Sequence, residues 1–308
     1  MKRCFLFICL LSTLSLHAQF APQAGMPGST ALHKDDPGIF AWGDSVSIQR
    51  GWINAADTTL GKTYFGDETA VRGKADGMVL SLGDGGEALY YFANPIVNGT
   101  GFDFAVYENG FIHPENGHLA YLEFATVEVS SDGLLFVPFP ALSEVDTLTQ
   151  VAGTGVYMDC RQVDGVAGKY IALYGTPFDL DLLSGAAGLD LQQIHYVKIK
   201  DVVGSLNDAF CTRDAQQRKM NDPYPTDFPT GGFDLDGLAV LHTRFPSGLQ
   251  HVQAQVASVY PNPVSDRLQV RQTEVGTRYS ICTLNGMEVS NGNYDVHGIA
   301  VHGLARGT

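Results

Sequence analysis

Short apolar runs that alternate in polarity and stop at Gly, Asn or Asp constrain this chain more than any other feature of it. Helical spacing is almost absent, so side chains that alternate between two faces of strands must build the core. Candidate strands lie at residues 77–82, 87–92, 101–107, 125–130, 135–139, 169–174, 195–202 and 233–241. Between them, Gly83-Asp84-Gly85-Gly86, Asn98-Gly99, Ser131-Asp132-Gly133 and Asp164-Gly165 supply the positive-φ positions that hairpins use. The expectation is an all-β chain built on a hairpin-rich antiparallel β-sandwich over residues 20–245, with no internal repeat. Long loops remain at residues 20–70, 140–165 and 203–232, and loops on a rigid β scaffold are where binding sites usually sit.

The ends carry different signals. Residues 1–19, MKRCFLFICLLSTLSLHAQ, combine Lys2 and Arg3 with an apolar run and a small residue at Ala18, the pattern of a secretory signal peptide. No stretch approaches the roughly 20 apolar residues of a spanning helix, so no transmembrane segment is expected. The predicted localisation is secreted or cell-surface, reached through the periplasm. Cys4 and Cys9 would leave with the leader, and Cys160, Cys211 and Cys282 would remain. Export makes a Cys160–Cys211 disulfide possible, with Cys282 left over. The 308-residue chain carries 19 Lys and Arg against 33 Asp and Glu, a net charge of −14. Losing Lys2 and Arg3 lowers this to −16. A surface of that sign repels phosphate, which excludes a nucleic-acid partner.

Near the C-terminus, Val259-Tyr260-Pro261-Asn262-Pro263-Val264-Ser265-Asp266 is followed by alternating Leu268 and Val270, then Tyr279-Ser280-Ile281 and Leu284-Asn285-Gly286-Met287-Glu288-Val289. This stretch resembles the C-terminal sorting domain of type IX secretion system cargo. The resemblance implies a small Ig-like β-sandwich over residues 258–308, a linker at 246–257, and the type IX secretion machinery as partner. The family continues beyond the counterpart of Leu304-Ala305-Arg306-Gly307 through another strand and a basic end, so the segment reads as incomplete.

A second resemblance rests on Ser81-Leu82-Gly83-Asp84-Gly85-Gly86, Asp103-Phe104-Ala105-Val106-Tyr107-Glu108-Asn109-Gly110, Val127-Glu128-Val129-Ser130-Ser131-Asp132-Gly133 and Gly231-Gly232-Phe233-Asp234-Leu235-Asp236. This succession is similar to a group of bacterial cell-surface proteins without assigned activity. It implies a jelly-roll-like sandwich at the cell surface. Some proteins of that general kind accompany outer-membrane cobalamin uptake, which makes an accessory role there one alternative.

Asp234 and Asp236 are the most informative acids. On a regular strand they share one face about 7 Å apart, and like charges so placed need water or a cation. Asp103 lies on the candidate strand 101–107 with Glu108-Asn109 at its end, Asp201 ends another strand, and Asn221-Asp222 opens the Pro-rich loop leading to Asp234. Either these acids cap turns and bond loop backbone, or Asp234, Asp236, Asp103, Glu108, Asp201 and Asp222 gather hard oxygen ligands for Ca²⁺. His113 and His118 flank Pro114-Glu115 in an expected loop, without helical metal-ligand spacing. Among aromatic residues in the long loops, Trp42 and Tyr224 are the candidates for ligand contact, either as stacking platforms or as pins holding a loop to the core. The chain has no Gly-x-Ser-x-Gly elbow, phosphate loop or dinucleotide fingerprint. The expected function is therefore binding of a glycan or small nutrient by a calcium-stabilised surface module. A carbohydrate-active hydrolase using loop carboxylates and an adhesive structural protein are the rivals.

Overall fold

The computed structural model describes residues 20–244, 259–261, 263–271, 274–283 and 288–304. The expected signal peptide, the linker and residues 284–287 of the sorting motif lie outside the described residues. Contacts divide the chain into two units, Met1–Phe245 and Pro246–Thr308.

In the first unit the chain forms β1 (Leu32–His33), β2 (Ala41–Trp42), β3 (Val46–Gln49), β4 (Leu80–Ser81), β5 (Glu87–Ile96) and β6 (Phe104–Glu108). There follow β7 (Phe111–His113), β8 (Asn116–Tyr121), β9 (Ala125–Ser130), β10 (Val137–Pro138), β11 (Leu142–Ser143) and β12 (Met158–Asp159). The last four are β13 (Val163–Asp164), β14 (Tyr174–Phe178), β15 (Ile194–Asp201) and β16 (Asp234–Val240). One sheet runs β1-β14-β6-β16-β2, with β4 also paired to β16, and a second runs β10-β9-β15-β5-β3. All their pairings are antiparallel. Phe104, Val106, Phe178, Leu235 and Leu238 from the first sheet and Ala88, Tyr90, Val127, Val197 and Ile199 from the second share one buried core. Phe104 stacks on Phe178 with ring centres 5.2 Å apart. Burial of apolar side chains from both inner faces makes the unit an antiparallel β-sandwich.

Several local expectations change. Ser131-Asp132-Gly133 does turn a hairpin, between the paired strands β9 and β10, with Gly133 at φ 76°. Gly83-Asp84-Gly85-Gly86 instead carries the chain from β4 in one sheet to β5 in the other. The strand expected at 169–174 begins only at Tyr174, because Gly168 and Leu173 both take positive φ and Lys169 turns inward to Val163 O at 2.8 Å. His113 and His118 lie on strands β7 and β8, which pair with each other, rather than in a loop. Cys160 and Cys211 are unpaired. Cys160 is buried in a second core cluster with Leu122, Phe124, Val163 and Met220, and burial pushes its thiol up to about 11.

The second unit is also all-β. It contains β17 (Val259–Tyr260), β18 (Arg267–Val270), β19 (Arg278–Cys282), β20 (Glu288–Asn293) and β21 (Ile299–Ala300). Strands β17-β18-β21 form one sheet and β19-β20 another. Among the described residues no helix is long and apolar enough to cross a membrane.

Candidate functional site

The acids of the first unit separate into those whose oxygens are occupied by backbone donors and a group in which two oxygens are left without a partner. Asp103 belongs to the first kind. It is fully buried and accepts from Gly99 N at 2.7 Å, Leu180 N at 2.8 Å and His242 Nδ1 at 2.8 Å. Asp236 accepts from Asp76 N and Gly77 N. In the register of β16 against β6, Leu235 faces Glu108 and Gly237 faces Tyr107, so Asp236 is the extra residue of a β-bulge. The bulge breaks the alternation that would have set Asp234 beside Asp236, and the two side chains serve different neighbours. Asp201 uses both oxygens, accepting from Gly85 N at 2.9 Å and Phe233 N at 2.7 Å.

Glu108, Asp222 and Asp234 are arranged differently, and Glu123 joins them. Glu108 closes β6 opposite Leu235, next to Asp234, and one of its oxygens accepts from Gly110 N at 2.7 Å. Gly110 packs close to Tyr121 O and the Leu122 side chain, which brings the end of β6 to the segment bearing Glu123. Asp222 Oδ2 accepts from Phe124 N at 2.8 Å, placing this carboxylate beside Glu123. Gly168, at φ 79°, fits against Glu123 O and the ring of Phe233, the neighbour of Asp234. Asp234 accepts from Ser81 Oγ. Four carboxylates from β6, the 122–124 segment, the Pro-rich loop and β16 are thus gathered at one end of the sandwich.

Their electrostatics follow from burial. Desolvation holds Glu108, Glu123 and Asp222 well above the usual carboxylate range, and Asp234 up to about 6. Repulsion adds to this: Glu123 feels Asp234, Glu108, Asp222 and Asp201, and Glu108 feels Asp234 and Asp222. All the charged neighbours that shift these four groups are acids. Two oxygens in the group, Glu123 Oε1 and Asp222 Oδ1, are buried without a hydrogen-bond partner. Such a vacancy in bonding costs about 1–3 kcal/mol, and more for a charged group. Among the described residues, no three His, Cys, Asp or Glu side chains already converge into a metal-holding group.

Asp234 also faces outward, where a pocket of about 720 Å³ is lined by Phe65, Thr69, Met78, Asn109, Thr230 and Asp234, among others. Phe65 and Met78 are 46% and 65% exposed, giving this pocket an apolar surface beside hydrogen-bonding groups. Its cations are occupied, Arg72 by Glu68 and Lys74 by Asp35.

The two aromatic candidates lie apart from it. Tyr224 is 7% exposed, its hydroxyl donates to Asn54 Oδ1 at 2.8 Å and its ring lies near Phe210, so it pins the Pro-rich loop rather than offering a free ring. Trp42 is half-buried against Tyr107, with ring centres 5.0 Å apart, and lines a smaller cavity of about 220 Å³ with Phe40 and Phe92. Sequence reasoning missed Glu123, whose signal was a lone acid between Leu122 and Phe124 in an apolar run. The expected binding loop over 20–70 contains part of the pocket wall, Phe65 to Ala70, but the remainder at 72–79 was missed, where no motif marks it. Comparison with known proteins returns no matching family model, no matching curated protein and no matching solved structure.

Proposed function

We propose that this chain is an exported cell-surface binding module that takes a glycan or other small polar nutrient in the pocket between Phe65, Met78 and Asp234. The observation that carries this reading is the pocket's mixed lining. Exposed apolar side chains beside a carboxylate, an amide and a hydroxyl suit a ligand with both C–H faces and hydroxyl groups. The leader-like residues 1–19 and the likeness of 258–308 to type IX sorting domains support delivery to the cell surface. The β-sandwich supplies a rigid base for the loops that form the pocket.

Calorimetric titration of the purified chain with a panel of soluble oligosaccharides tests the pocket. Binding by the wild type that weakens at least about tenfold, or 1.4 kcal/mol, in Phe65→Ala is the expected result. Undiminished binding in Phe65→Ala places the ligand elsewhere, and absence of binding across the panel removes the glycan reading. Cleavage of a bound oligosaccharide by the wild type and not by Asp234→Asn replaces binding with hydrolysis as the function. Surface proteolysis of producing cells, with and without the type IX machinery, tests delivery. The protein is expected to lose surface exposure when the machinery is absent.

A further inference from the structure

We infer that Glu108, Glu123, Asp222 and Asp234 form a site for one Ca²⁺ that ties the Pro-rich loop to the end of the sandwich. The inference stands independently of what the pocket binds. Its first support is the burial of three carboxylates without a basic partner, Glu108 at 3% exposed, Glu123 at 6% and Asp222 at 3%, with the half-buried Asp234 beside them. An isolated buried carboxylate is strongly disfavoured, and like charges placed together are more so, unless protons or a cation neutralise them. The second support is independent of charge. Glu123 Oε1 and Asp222 Oδ1 are unpartnered oxygens on side chains more than nine-tenths buried, whereas the buried Asp103, Asp201 and Asp236 have theirs bonded.

The carboxylates are held beside one another rather than already converged on one point. Gly110 N fixes one oxygen of Glu108 and Ser81 Oγ one of Asp234, while Phe124 N holds Asp222 Oδ2 and leaves Asp222 Oδ1, like Glu123 Oε1, for a ligand. The donors are all oxygen, which selects a hard cation over zinc or copper. They come from four separate segments in irregular geometry, which suits the flexible six-to-eight coordination of Ca²⁺ better than the strict octahedron of Mg²⁺. Binding draws the side chains inward from their present separation, and the rotatable Glu108 and Glu123 side chains supply that movement. Asp222 opens the loop that Tyr224 pins, so the ion acts where residues 203–232 join the sandwich.

The test is calorimetric titration of the chelator-stripped full chain with CaCl₂ at neutral pH, repeated on Glu123→Gln and Asp222→Asn. The expected result is one Ca²⁺ per chain, little competition from equimolar Mg²⁺, and affinity reduced at least about tenfold in each variant, since ligand charge sets Ca²⁺ affinity. Both variants keep side-chain volume and remove a repelling charge, so their unfolding midpoints in chelator should equal or exceed the wild-type value. Absence of a binding heat in the wild type overturns the inference whatever the variants do. So does wild-type affinity in both variants, which would put the ion elsewhere. Failure of one variant to fold leaves the wild-type stoichiometry and the other variant to decide.

Discussion

Asp103 and Glu123 show how differently two buried carboxylates can be employed. Three donors surround Asp103, so its removal leaves Gly99 N, Leu180 N and His242 without their acceptor. Asp103→Ala is expected to cost about 3 kcal/mol in a denaturant titration while leaving calcium binding unchanged, because orphaned buried donors carry the desolvation penalty. Asp84 provides a pH-dependent counterpart outside the proposed ion site. Burial raises its carboxyl to about 6, opposed by a hydrogen bond from Ala55 N at 2.6 Å, with Asp227 adding repulsion. A folded-state pKa above the unfolded value means that the folded protein binds the proton more tightly. The resulting stability is fully present below pH about 4 and is lost as pH rises through about 6, with an upper bound near 3 kcal/mol. Unfolding midpoints measured in chelator should therefore fall between pH 4 and 7 for the wild type and fall less for Asp84→Asn. The sequence reading named Glu108, Asp222 and Asp234 of the four neighbouring acids and passed over Glu123. It was not legible that Asp103, Asp201 and Asp236 are consumed by backbone donors, because their partners at Gly99, Leu180, Gly85, Phe233, Asp76 and Gly77 are set by loop conformation rather than by spacing.

At the scale of elements, single residues that break regularity position the acids. The extra residue at Asp236 in β16 directs it to the 76–77 turn and leaves Asp234 beside Glu108. Period-two reasoning recovered the strand and missed the bulge, since nothing in Asp234-Leu235-Asp236-Gly237 announces a register shift. It likewise recovered β9 with both bounds, yet read the Gly83–Gly86 turn as a hairpin, because positive-φ glycines signal a change of direction and not which sheet the next strand joins. Gly168 is the most exacting of these positions: it has positive φ and a Cβ there would overlap Glu123 O. Gly168→Ala is expected to lower the thermal midpoint by several degrees and to weaken calcium binding, as the Glu123 backbone is pushed from its place. Tyr224→Phe, by contrast, removes one hydrogen bond to Asn54. It should cost about 1 kcal/mol and leave oligosaccharide binding intact.

At the scale of the whole molecule, the chain is two units, each all-β. The first buries an extensive sandwich core, and the second has short strands in two small sheets. The all-β class was legible because alternation and turn chemistry are local. The pocket wall at 72–79 was not, since it is assembled from irregular backbone brought beside Asn109 and Asp234 by the fold. The strongly acidic composition would strain a compact state if all the buried acids were ionised and unpaired. A bound cation relieves that strain only in the folded protein, so it stabilises by mass action. Thermal unfolding of the full chain in excess Ca²⁺ and in chelator therefore tests the central claim most directly. At 100 times the dissociation constant the gain is about 2.7 kcal/mol, which for a domain of this size predicts a midpoint higher by roughly 5–10 °C in Ca²⁺. Superimposable curves under the two conditions would contradict a calcium-held acidic cluster.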